Sequence, residues 1–203
     1  MDRVNYAADT EKWEFRPSTY GAHGEDVRYK FRESPDFGAI LTKVSNWMKS
    51  RPDDYMFNAC AADLFETMFA PFDNSLVAWL QDWIDQATVE DIHAVSRILS
   101  KSSHGFVFDQ RPFVESFLAR VQQFGKKELD DAISALWSAE ALGLRSGIPG
   151  QPFPQDLKMK DQAKKALKEI PRFSPAYRLY EAIQKTAEEN IRQSFRDAEA
   201  LED

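Results

Sequence analysis

Asp63 with Glu66 and Asp82 with Asp85 form two carboxylate pairs, each three residues apart. On a helix that spacing puts both acids of a pair on one face, which general acid–base catalysis or a two-metal site can use. A solvated acidic helix face has the same spacing. Asp82 is flanked by Trp79 and Trp83, and indoles one turn apart beside a carboxylate have the chemistry to hold an unstacked base. The same indoles also fall on an apolar stripe with Leu76, Leu80 and Ile84, which is how core tryptophans are spaced. Residues 52–96 hold nine carboxylates (Asp53, Asp54, Asp63, Glu66, Asp73, Asp82, Asp85, Glu90 and Asp91) and no Lys or Arg. A phosphate backbone finds no counter-charge there.

Other catalytic patterns are missing from the sequence. The three histidines, His23, His93 and His104, are scattered, and there is no HxxxH or CxxC pair to hold a metal. The single cysteine, Cys60, sits in the apolar run Phe57–Leu64, which reads as a buried thiol in a reducing compartment. Phosphate-binding glycine loops, a GxSxG elbow and a Cys/His nucleophile pair do not occur. The expectation is a noncatalytic protein with no cofactor and no metal. A helical hydrolase or base-excision enzyme using Asp82 is a lesser reading.

The opposite charge gathers further along the chain. From Lys158 to Arg178, seven bases (Lys158, Lys160, Lys164, Lys165, Lys168, Arg172 and Arg178) face two acids, Asp161 and Glu169. Phe173, Tyr177 and Tyr180 are interleaved with them and can stack or anchor a partner. The segment suits an acidic protein, an acidic face of a second copy, or nucleic acid, and each such contact weakens as salt rises. A net charge of −7 and pI near 5.1 disfavour nucleic-acid binding by the surface as a whole.

The elements that must position these residues are mostly helical. Residues 1–35 read as an N-terminal extension. Trp13-Glu14-Phe15-Arg16 and Val27-Arg28-Tyr29-Lys30-Phe31-Arg32 alternate with period two, and the turn residues of Pro17–Gly24 lie between them, so the pattern predicts a β-hairpin. Its aromatic face (Trp13, Phe15, Tyr29 and Phe31) is a candidate partner-binding surface, alongside Lys164, Lys165, Lys168, Arg172 and Arg178. Residues 36–203 read as one helical domain of about eight helices. Apolar stripes run through Val44 and Met48, Phe57 to Met68, Leu76 to Ile84, Ile92 to Leu99, Val114 to Val121 and Leu129 to Leu142. Phe106-Val107-Phe108 reads as a connector and Arg145–Asp156, with its Gly and Pro residues, as a loop or hinge. A polar helix is expected over about 159–170, and a long one starting at Pro175 behind the cap Ser174. Thr88 with Asp91 has the spacing of a capping box.

Ile92-x-Ala94-Val95 recurs 41 residues on as Ile133-x-Ala135-Leu136, each copy followed by a loop and another amphipathic helix. In this the chain resembles the HEAT and armadillo α-helical repeats. The resemblance implies a short curved superhelix used as a scaffold, with an irregular helical bundle as the other arrangement of the same helices. No apolar run reaches the roughly 20 residues that cross a bilayer, and the first residues lack the layout of a signal peptide. The sequence therefore predicts a mainly α, cytoplasmic interaction or scaffold protein whose partner is another protein or a second copy. Nucleic acid bound through the basic C-terminal third is the alternative.

Overall fold

The computed structural model describes residues 2–7, 12–17, 37–51, 53, 74–100, 106–141, 145–148 and 150–202. The chain is mainly helical, and its contacts divide it into two compact units, Met1–Ile98 and Leu99–Asp203. No helix among the described residues is long and apolar enough to cross a membrane.

In the first unit, β1 (Asp2–Ala7) pairs antiparallel with β2 (Lys12–Pro17), setting Val4 opposite Phe15 and Tyr6 opposite Trp13. The neighbour of β2 is thus a second period-two stretch, Arg3-Val4-Asn5-Tyr6, reached through a short connection that costs little closure entropy. The strand expected over 27–32 lies outside the described residues, as does the helix expected from the Phe57 to Met68 stripe.

Helices α1 (Phe37–Ser50) and α2 (Asn74–Gln86) follow the predicted stripes, with Val44, Met48, Leu80 and Ile84 buried. Trp79 and Trp83 do not point fully inward as the stripe suggested. Leu80 and Ile84 take the deep positions, and the two indoles meet at the rim, half-buried, with centroids 5.1 Å apart and planes tilted by 50°.

A short 3-10 turn, Val89–Asp91, leads into α3 (Ile92–Ser100). Thr88 is its extended cap, and the predicted capping box forms. The Thr88 amide donates to Asp91 Oδ2 at 2.8 Å and the Thr88 hydroxyl to the same oxygen at 2.7 Å, while the Asp91 amide closes the 3-10 turn on the Thr88 carbonyl at 3.1 Å.

The second unit departs from the sequence reading in two places. Phe106-Val107-Phe108 is not a connector but part of a helical turn, α4 (Phe106–Asp109), with Val107 and Phe108 buried. It leads through Gln110 straight into α5 (Arg111–Val121), where proline in the first turn gives up an amide that has no helical partner anyway. Gly125, at φ +149°, makes the turn before α6 (Lys126–Ala141) and accepts the Leu129 amide.

The other departure is the start of α7, which spans Pro154–Glu169 and so begins about a turn before the predicted 159. Phe153 is extended, as a residue before proline must be, and its carbonyl accepts the Asp156 and Leu157 amides. The proline that marked a loop is therefore the first helical residue. The last helix, α8 (Pro175–Glu202), opens as expected with the Tyr177 amide donating to the Ser174 carbonyl.

Candidate interaction surface

The inner face of α7 is small: Met159, Ala163, Ala166 and Ile170 are buried, and two alanines leave room for a neighbouring backbone to approach. Helix α8 contributes Ala176, Leu179, Tyr180, Ile183 and Ala187, all fully buried. At roughly 2 kcal/mol per large apolar side chain removed from water, this burial is the main attraction holding the helices.

Polar contacts lock both ends of α7. At its start Asp156, 0% exposed, accepts from Arg145 Nε at 2.8 Å and from Asn190 Nδ2 at 3.0 Å, through the same oxygen, Oδ1. Arg145 also donates to the Ala141 carbonyl at the end of α6. Asp156 Oδ2 has no hydrogen bond among the described residues.

At the far end, Arg111 donates to Glu169 at 2.6 Å and to Glu115 at 3.1 Å. Partial burial works against the Arg111 charge, but the two carboxylates outweigh it and raise its pKa. The same contact holds the Glu169 carboxyl below its ordinary range. Between these ends, Tyr180 donates to the Val107 carbonyl at 2.9 Å and its ring lies 5.6 Å from Phe108. Burial, with help from Glu115, pushes this phenol well above its ordinary value.

The outer face of α7 is left with lysines. Lys158, Lys164, Lys165 and Lys168 are exposed, Lys160 is half-buried, and Arg172 is exposed in the turn beyond. Among the described residues none of these six forms an ion pair, whereas Arg111, Lys127, Arg145 and Arg178 each do. Asp161 is the one exposed acid between Lys158 and Lys168. Beside Arg172 stands Phe173, 89% exposed. Leu157, at the opposite end, is also exposed.

The sequence-predicted site residues therefore separate. Lys164, Lys165, Lys168 and Arg172 share the α7 side, while Arg178 is drawn to Asp130 on α6, 2.6 Å away. Trp13 and Phe15 lie in β2, where only the backbone register is described, and Tyr29 and Phe31 lie outside the described residues. Asp82 and Asp85 are exposed on α2, with Asp85 accepting from Gln81 at 2.7 Å. Asp63 and Glu66 lie outside the described residues. No group of three metal-binding side chains gathers among the described residues.

Sequence reasoning missed the polar contacts that fix α7. Asp156–Asn190, Arg111–Glu169 and Tyr180–Val107 join residues 34, 58 and 73 positions apart, and no local spacing announces them. In the first unit the sequence presents Asp91 as a cap residue and as one of the nine carboxylates of the acidic stretch. It is 3% exposed and also receives Lys49 Nζ at 2.8 Å and Trp83 Nε1 at 2.9 Å.

Charge divides along the unit boundary. Leu99–Asp203 holds sixteen bases and sixteen acids, and Met1–Ile98 holds ten bases and seventeen acids, so the whole net charge of −7 belongs to the first unit. Compared with protein-family models, curated proteins and solved structures, the chain matches none.

Proposed function

We propose that this chain is a noncatalytic interaction module that engages an anionic partner through the outward face of α7. In this reading the helices form a HEAT-like scaffold or an irregular bundle in the cytoplasm, and the N-terminal hairpin segment is an appended second contact. The observation that carries it is the contrast within one unit. The arginines at the ends of α7 are matched to carboxylates, while Lys158, Lys164, Lys165 and Lys168 line an exposed face with no ion pair among the described residues. Like charges at helical spacing cost a few tenths of a kcal/mol per pair in the free protein. An anionic partner converts that cost into attraction.

The reading is tested by chromatography on immobilised heparin and on immobilised poly-glutamate at about 50 mM salt, a range in which surface electrostatics are strong. The protein is retained on at least one matrix, and the variant Lys164→Gln/Lys165→Gln/Lys168→Gln elutes earlier. Passage of the unmodified protein through both columns, or an unchanged elution of the variant, overturns the proposal.

A further inference from the structure

We infer that the anionic partner is a single-stranded nucleic acid, its phosphates lying along the α7 lysines and one base stacked on Phe173. This rests on the α7 face being the binding surface. The kind of charge is the first argument. Cores of protein–protein interfaces are depleted of lysine and filled with aromatic and apolar groups. On α7 the order is reversed, with lysines in the middle and the exposed apolar groups, Leu157 and Phe173, only at the ends. Lysines from Lys158 to Lys168 extend over about 15 Å at 1.5 Å per residue. A row of point charges on flexible stems suits a phosphate chain and reads no base edges, so the contact is sequence-tolerant.

Phe173 decides between single strand and duplex. An aromatic ring that is 89% exposed, next to a cation and at the end of a basic row, is a stacking platform. Bases in a duplex are already stacked and cannot lie on it. The unit carrying α7 has as many bases as acids, so it presents no net negative charge of its own. Glu169 shares Arg111 with Glu115 and also attracts Lys165, so Asp161 and Glu169 are the two carboxylates the strand must pass.

The test is fluorescence anisotropy of a labelled oligo-dT of about 20 nucleotides, with a duplex of the same length and with poly-glutamate as competitor. Lys158, Lys164, Lys165, Lys168 and Arg172 are the five cations available, so log affinity falls against log salt with a slope of about −3.5. That is about a 100-fold loss between about 50 and 200 mM salt. The lysine-to-glutamine triple variant reduces the slope to about −1.4. Phe173→Ala, at a position too exposed to disturb the fold, weakens the single strand about tenfold, leaves the slope unchanged and does not affect the duplex.

If oligo-dT fails to bind while the poly-glutamate column retains the protein, the inference falls and the function proposed above stands, with an acidic protein as partner. Equal affinity for single strand and duplex, or an unaltered Phe173→Ala variant, also overturns it. Failure of every polyanion removes both.

Discussion

Asn190 on α8 donates to Asp156 on α7, 3.0 Å away, and the carboxylate that receives it is wholly enclosed. Arg145 reaches the same oxygen from the loop that precedes α7. One acid therefore ties together the start of α7, the middle of α8 and the chain leaving α6.

Asp156→Ala removes the acceptor that Arg145 and Asn190 share, and with it the buried half of the Arg145–Asp156 ion pair. Removing one partner of a buried charge pair costs about 3–5 kcal/mol, so the variant unfolds at markedly lower denaturant. Chemical denaturation with an unchanged m-value is the check. A loss below about 1 kcal/mol shows that α7 is held by its alanine packing alone.

Asp91 gives a pH signature. Burial raises its pKa, but hydrogen bonds from Lys49, Thr88 and Trp83 together outweigh burial and leave it below the ordinary 3.8. A carboxyl depressed in the folded state adds stability that is fully present above its unfolded value and is lost as pH falls through the folded one. The first unit therefore loses part of its stability below about pH 4, and Asp91→Asn flattens that acid limb while costing about 1–3 kcal/mol at neutral pH. Denaturation midpoints measured from pH 7 down to pH 3 separate the two proteins. Parallel curves would remove Asp91 as the cause.

Much of this arrangement was legible beforehand, for reasons that differ residue by residue. The stripe through Leu80 and Ile84 follows from a period that burial enforces, and both residues are fully enclosed, whereas Tyr180, expected to stack on or anchor a partner, is wholly buried against Val107 and Phe108 and cannot do so. Thr88 and Asp91 were legible because a cap is a local contact. The start of α7 was missed because proline signals both a loop and a first helical turn, and only the extended Phe153 decides between them. Trp79 and Trp83 share the stripe but sit on its shoulder, a matter of which neighbours reach them. Of the basic cluster, composition revealed Lys164, Lys165, Lys168 and Arg172. It could not reveal that Arg178 is spent on Asp130, because that pairing is set by helix packing across 48 residues.

Tyr180 reports on the core at the other extreme of pH. Its phenol is raised above the ordinary 10.0 by burial, with Glu115 contributing, so the neutral form is the one the fold selects. Stability from such a group is complete below the unfolded value and is lost as pH rises above about 10. In absorbance titration this tyrosine ionises only with global unfolding. Tyr180→Phe leaves the Val107 carbonyl without its donor and costs about 1–2 kcal/mol, with that late ionisation step gone. A normal titration midpoint for every tyrosine in the folded protein would contradict the enclosure of this one.

Lys164→Glu distinguishes a face kept for binding from one that merely keeps the helix in water. Lys164 lies four residues from Lys160 and from Lys168, so in the free protein it faces like charges on both sides, with Asp161 the only opposite charge within a turn. Reversing it turns two repulsive i,i+4 pairs into attractive ones, each worth about 0.2–0.5 kcal/mol, at the cost of one repulsion from Asp161 three residues away. The variant is thus at least as stable as the parent, and up to about 0.5 kcal/mol more so, while its retention on polyanions falls. Opposite movement of stability and binding is what a surface maintained for a partner produces, and it cannot come from partial unfolding. If thermal stability and polyanion retention fall together, the loss of binding belongs to the fold, and the outward lysines of α7 are a solvated surface.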